Sequence, residues 1–528
     1  MAQPSKTREN VDTRAARPDP YFAWAKATGF RYLPAGATAV PLLIELADGV
    51  SVQAFAKGGW LASKRLESAV RVPPIYAKPP RGIEQARYCT ALVAIKELDR
   101  VVDDAGWKKL VARYGFGLPV YARFAAAATG APESAAGTAK QRTLPAGAAL
   151  AAATTSAPRT AGQRSQGAGG SSGGAGNTEG VRGPVVIGVI DDGIAFAHEV
   201  FLARPGTTRI KSLWNQEAAV PVPPATVPAA FLYGQELPDT VINNALAQFT
   251  HAGLVDEDAV YRHTGHEQYT SGIHKAVGRR AAHGTHVLDL AATLGPATPP
   301  AERPIVAVQL PSAVTGDTSG AHLNPQAIEA ILYILQQAEK LGAQHGKPLP
   351  VVINLSYGMH AGPHDGTHVI EAAIDQIIDL WSTTHAPVAI VLPAGNSRLA
   401  RCHAQLTLAA DEAKTLHWRV QPDDRTPSSM EIWLPAPPAG EATAKVEVEV
   451  KDPTGAALPV TIKEGEAFPS PLTTPVPCFV DYAAPAFPGA RTKIVIVLAP
   501  TAPTDPPDPA EKLAPAGVWE VKVKNTST

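Results

Sequence analysis

A chain of 528 residues with a net charge of −1 and a pI near 7.0 carries no electrostatic signature of a nucleic-acid or anionic-membrane partner. Hydrophobic residues make up 45% and charged ones only 18%, so core material is ample, while 44 glycines and 50 prolines point to long loops. Cys89, Cys402 and Cys478 lie far apart without a paired spacing, which argues against a disulfide framework or a zinc ribbon.

The first 124 residues contain strand-like runs from Val40 and Tyr88. A helix is expected through KELDRVVDDAGWKKLVARYG, with Val101, Val102, Leu110 and Val111 as its apolar positions. This reads as a small α/β module. The N-terminus is polar, without the apolar centre of a secretory signal, and no apolar run is long enough to span a bilayer. The expected location is cytoplasmic, or outside by a route that needs no such signal. Residues 125–182 are Ala, Gly, Ser and Thr with almost no large apolar side chain, the composition of a flexible linker.

Residues 183–400 alternate β-branched runs (VVIGVID, PIVAVQL, PVVINLSYG, PVAIVLPAGN) with two amphipathic helical patterns. Ile328, Ile331, Leu332, Leu335 and Ala338 form the apolar stripe of the longer one. Continuous apolar strands between such helices predict a parallel sheet covered on both faces, with ligands beyond the strands' carboxyl ends. Residues 401–528 switch to a period of two in seven short runs, from HWRVQP to VWEVKVKN, and read as a β-sandwich or jelly roll.

Three residues stand where chemistry is expected. Asp191 ends the first strand of the α/β region, followed by Asp192 and Gly193 in a turn. His283, in AAHGTHVLDLAATLG, opens a helix whose buried stripe is expected at Val287, Leu290, Ala291 and Leu294. A histidine there feels the positive end of the helix dipole, which favours its neutral form. His286 reads as a packed helix residue, since two histidines without a third ligand make a poor metal site. Asn396, in VLPAGNS, follows another strand and can donate a hydrogen bond from its amide.

Asp in V-I-D-x-G, His in H-G-T-H-V, the strand N-x-S-x-G and Asn in A-G-N, in that order, resemble the subtilisin-like serine peptidases over roughly residues 183–397. The resemblance implies that Asp191 orients the imidazole, that His283 is general base and acid, and that Asn396 is the oxyanion donor. It also implies that Ser356, Tyr357 and Gly358 form the edge on which a polypeptide substrate lies. No cofactor is required by this reading and no metal site is assigned. Calcium is possible at Asp256, Glu257 and Asp258, although a solvated loop is the simpler expectation. For His360, His364 and His368, with Asp365, a loop near the cleft is expected rather than a metal site, because Gly362, Pro363 and Gly366 break any helix. The N-terminal module bears a weak resemblance to the family's propeptides through TALVAIKELDRV, with an unrelated adaptor an equal alternative; a propeptide would be cut between Ala125 and Arg182.

One element departs from the pattern. The family's nucleophile sits in Gly-Thr-Ser at the start of a helix after the oxyanion Asn, whereas the serines from Asn396 onward are Ser397, Ser428, Ser429, Ser470 and Ser527, none in that context. Ser319, in GDTSG, precedes Asn396 and matches by chance. The β-rich segment then reads as an insertion, and the chain as stopping before the catalytic serine. Without it no acyl-enzyme forms, so inactivity as a peptidase is expected of these 528 residues. A non-catalytic peptide-binding protein and a histidine-dependent metallohydrolase are the competing expectations.

Overall fold

The computed structural model describes residues 19–117, 183–437 and 443–527, apart from short stretches at 32–36, 64–65, 218–220, 267–276, 278–281, 296–297, 316–322, 459–460, 471, 484–490 and 504–506. The expected linker at 125–182 and Ser319 lie outside the described residues.

The N-terminal module is a four-stranded antiparallel sheet of β1 (Ala39–Leu46), β2 (Val70–Arg71), β3 (Tyr88–Ala94) and β4 (Val111–Phe116), in the order β2-β3-β1-β4. The single helix expected after Lys96 is broken in two, Leu98–Asp103 and Ala105–Leu110. Asp104 causes the break: its carboxylate accepts from the backbone N–H groups of Gly106 at 2.7 Å and Trp107 at 3.2 Å, capping the second piece. Val111, placed on that helix by its spacing, instead begins β4 and pairs with β1.

The central sheet contains β5 (Val186–Asp191), β6 (Ile210–Asn215), β7 (Gln235–Pro238), β8 (Ile305–Gln309), β9 (Val351–Leu355) and β10 (Val388–Val391). Its order is β10-β9-β5-β8-β6-β7, parallel except for β7, which runs against β6 at one edge. The fold is thus mixed α/β around a six-stranded, mostly parallel sheet, with several small sheets besides. Both faces are covered. Helices α1 (Asp239–Gln248) and α2 (His283–Ala292) pack against Ile187 and Val189 of β5, while α3 (Asn324–Gln344) and α4 (Val369–Ser382) pack against Val186 and Ile190. Each such Val or Ile, taken fully out of water, stabilises the fold by ~1.5–3 kcal/mol. Gly188 lets α3 approach this closely, because a Cβ there would sit 2.9 Å from Cγ2 of Ile334.

Helix α3 is buried almost all round, well beyond the expected stripe; Glu329, Tyr333 and Gln337 are covered too. The N-terminal sheet accounts for this. Leu42, Ile44, Ala91 and Val93 share one core with Ile331 of α3 and Ile374 and Ile377 of α4. The module therefore does not hang on the end of a tether but forms the outer layer over two helices.

The C-terminal segment forms two antiparallel sheets. Ala413–Val420, Gly517–Asn525 and Val446–Lys451 make one; Ser428–Trp433, Lys493–Leu498, Cys478–Tyr482 and Ala467–Phe468 make the other. Val448 and Val521 of the first meet Val480 and Ile496 of the second in a common core, which is a sandwich. The expected strand in PVTIKEG is reduced to an isolated bridge between Val448 and Ile462. Glu431 ties the three parts together, accepting from the Tyr21 hydroxyl at 2.8 Å, Gly362 N at 2.7 Å and Trp433 Nε1 at 2.9 Å. Among the described residues no helix is long and apolar enough to cross a membrane.

Candidate active site

Five parallel strands end on one edge of the sheet, and the residues singled out from the sequence follow three of them. Asp191 is the last residue of β5, Ser356–Gly358 follow β9, and Asn396 lies five residues past β10. β9 separates β5 from β10, so two strand spacings, about 10 Å, lie between the first and last.

The structure brings Asp191 and His283 into direct contact, Oδ1 to Nδ1 at 2.7 Å. Local sequence explains how α2 can deliver its first residue there. Gly284 follows His283, and a Cβ on it would lie 1.7 Å from the carbonyl oxygen of Asp192; only glycine lets the helix start against this turn. Gly284 N donates to Asp192 Oδ1 at 3.1 Å. Thr285 then braces the loop from both sides, donating through its hydroxyl to Gly193 O at 2.8 Å and accepting from Ala195 N at 2.9 Å. Gln309, opposite Asp191 on β8, completes the frame by accepting from Ile194 N at 2.9 Å. Thr285 and Gln309 are positioning residues that sequence reading passed over, and Asp192, read from sequence only as a turn residue, is a third; a glutamine ending the apolar run PIVAVQL was the available signal. A Gly284→Ala substitution should lower stability by about 3 kcal/mol or more and separate the pair. Denaturant unfolding and the His283 titration followed by NMR check this together, and an unchanged titration counts against the close-approach argument.

Asp191 is 4% exposed and the side chain of His283 is 59% exposed. Burial pushes the Asp191 carboxyl up to about 6, held back by the bond to His283 and by the N–H of Asp192, which donates to Oδ1 at 2.8 Å. His283 is raised from 6.5, first by its hydrogen bond to Asp191, against partial burial. The two titrate as a pair. Here the sequence expectation needs correction: the helix dipole was to favour the neutral imidazole, but a carboxylate at hydrogen-bond distance outweighs the partial charge of a helix end. With Nδ1 on Asp191, Nε2 is the nitrogen left for chemistry, and it has no hydrogen-bond partner among the described residues.

The helix face is also corrected. Gly284, Leu288 and Ala292 are its buried residues, whereas Leu290 is 84% exposed and His286 and Ala291 are exposed as well. Asp191, Asp192 and His283 bring three ligand-type atoms within 4.8 Å of one another; Asp191 Oδ1 is engaged by His283 Nδ1, while Oδ2 is buried without a hydrogen-bond partner among the described residues.

Asn396 is exposed, in a loop that Gly395 turns at φ 88°, and no hydrogen bond holds its amide among the described residues. Ser356 Oγ accepts from Asn354 Nδ2 at 2.8 Å, and the Tyr357 hydroxyl donates to Val314 O and Thr315 O at 3.2 Å. Gly358 is exposed. Ser397 Oγ lies 2.9 Å from His360 Nε2, not from His283. Ser428 and Ser429 belong to a sandwich strand.

The remaining expectations resolve as follows. Asp256 caps the helix Glu257–His263, accepting from Ala259 N at 3.0 Å, and Glu257 accepts from the Tyr261 hydroxyl at 2.8 Å, so this acidic run is a helix start rather than a solvated loop. His368 is the N-cap residue of α4, and Asp365 pairs with Arg491.

No known family matches the chain, and no curated protein does. A protease is similar in structure. The CspB protease of Clostridium perfringens superposes with a TM-score of 0.42 and 19% identity, over 65% of this chain and 59% of that one. The chain thus spans less than two thirds of that protein's length.

Proposed function

We propose that this chain carries the Asp–His half of a subtilisin-like serine endopeptidase, with the attacking serine supplied by polypeptide outside these 528 residues. One observation carries the reading: a buried carboxylate at the carboxyl end of a central parallel strand accepts from Nδ1 of a half-exposed imidazole at a helix start. That arrangement fixes the tautomer and leaves Nε2 to take a hydroxyl proton and return it to the leaving amine. Asn396 then donates to the oxyanion, and Ser356, Tyr357 and Gly358 receive the backbone of a polypeptide substrate. The N-terminal sheet over α3 and α4 acts as a propeptide-like layer. Support for the whole comes from motif order together with the 2.7 Å contact between Asp191 and His283, and calcium remains a proposal without a ligand set.

The test uses a chain extended beyond Thr528 and a fluorophosphonate probe. Labelling that depends on His283 is expected; an extended, folded and unlabelled protein sinks the reading in favour of a peptide-binding protein that performs no hydrolysis.

A further inference from the structure

The far end of α2 is held as firmly as the end that presents His283. Arg209 stands one residue before β6, 3% exposed, with its backbone pinned on both sides. Its N–H donates to Phe201 O at 2.9 Å, and its carbonyl accepts from Ile305 N, at the start of β8, at 3.1 Å. From that base Nη2 donates to the carbonyl of Ala292, the last residue of α2, at 2.6 Å, and to the carbonyl of Arg303 at 3.3 Å. The guanidinium therefore ties the carboxyl end of α2 to the edge of the sheet opposite the Asp–His pair.

We propose that Arg209 is a positioning residue for His283: by anchoring the last turn of α2 it sets how far the first turn reaches toward Asp191. The catalytic meaning of this rests on the peptidase reading, whereas the effect on the pair does not. Helix and sheet act as matched struts. Ten residues at about 1.5 Å make α2 some 15 Å long, and the five residues of β8 at about 3.3 Å span nearly the same distance. A helix cannot lengthen without breaking its own hydrogen bonds, so a shift at Ala292 is passed on to His283. Apolar packing gives little axial grip, because α2 buries only Gly284, Leu288 and Ala292, with Val287 partly covered and Leu290 84% exposed.

The chemistry of the anchor points the same way. The last carbonyls of a helix lack partners within it and carry its negative end, so a cationic donor suits them. The arrangement is costly in other respects. No carboxylate pairs with Arg209 among the described residues, its Nε is buried without a hydrogen-bond partner, and burial lowers its pKa. Where packing alone mattered, an apolar side chain would serve better than a buried cation with an unmet donor.

Arg209→Met and Arg209→Lys in the 528-residue protein test the proposal. Methionine fills part of the space with neither charge nor donor, and lysine keeps the charge but lacks the planar fork. In the methionine variant the His283 titration followed by NMR should fall toward that of an ordinary histidine, because the bond to Asp191 is the first cause of its elevation. The low-field Nδ1–H resonance of the pair should weaken with it, and lysine should restore part of both. An arginine of purely structural worth would move the urea midpoint and leave the titration alone. In the chain extended to include the serine, fluorophosphonate labelling of the methionine variant should be about 10- to 100-fold slower. A folded methionine variant with the parental titration and low-field signal overturns the proposal; if that variant does not fold, an unchanged titration in Arg209→Lys overturns it. An extended parent that never labels sinks the peptidase reading and leaves the titration result standing.

Discussion

Replacing Asp191 with asparagine, in a chain extended to include the serine, should slow fluorophosphonate labelling about 10⁴-fold while leaving the fold intact. The side chains are the same size, although turning the amide NH2 toward His283 Nδ1 gives up the bond that Oδ1 accepts from Asp192 N at 2.8 Å. What changes is the imidazole. An amide presented to Nδ1 can donate, which moves the ring proton to Nε2 and removes the base from the position where a hydroxyl would meet it. The pH profile supplies an independent check. Because Asp191 raises His283 above 6.5, labelling should rise with pH with its midpoint above that of an ordinary histidine. In Asp191→Asn the midpoint of the His283 titration should fall. A loss of less than tenfold, with an unmoved histidine titration, would show that the 2.7 Å contact does not serve catalysis.

Glu329 should make stability fall as the solution turns from acid to neutral. It sits on α3, where the N-terminal sheet covers the helix, 4% exposed, with the Thr90 hydroxyl donating to Oε1 and Tyr76 and Tyr233 as the other titratable neighbours. Burial pushes its carboxyl up from 4.5 to about 7, and the hydrogen bonds from Thr90 and Tyr233 only partly offset this. Between those two values the folded protein holds a proton that the unfolded chain has lost. Stability from this group is therefore fully present below about pH 4.5, declines as pH rises, and is lost above about 7, a total of roughly 3 kcal/mol. Glu329→Gln keeps the shape and the acceptor oxygen but cannot ionise. Urea unfolding at pH 5 and pH 8 should show the variant gaining on the parent at the higher pH. Parallel profiles for the two proteins would mean that Glu329 finds water or a counter-charge when ionised.

The strands and helices with a pure period were legible before any coordinates. β5, β8, β9, β10, α3 and α4 all appear where their apolar runs placed them, and Asp191 and His283 meet as the motif order implied. Two strands escaped because their buried positions are polar. Ser212, Asn215 and Gln235 sit inside β6 and β7, and Gln235 reaches Thr264 O at 2.7 Å, so pairing with fixed partners replaces hydrophobicity as the reason for burial. The face of α2 was misread because its ten residues are short enough for two stripes to compete, and the tight seat of Gly284 on Asp192 decided between them. Spacing of His360, His364 and His368 invited a local grouping, whereas the neighbours of His360 and His364 are Cys402 and His403 respectively, which arrive from some forty residues away, a proximity no local pattern encodes.

The shared core under the N-terminal sheet bears on what a protease would accomplish by cutting between Ala125 and Arg182. Severing the backbone there breaks one covalent connection and none of the contacts that join Leu42, Ile44, Ala91 and Val93 to α3 and α4. A nicked sample should consequently elute as one particle and separate into two bands only under denaturing conditions. Liberating the helices would take a second event, one that offers their outer faces something else to bury.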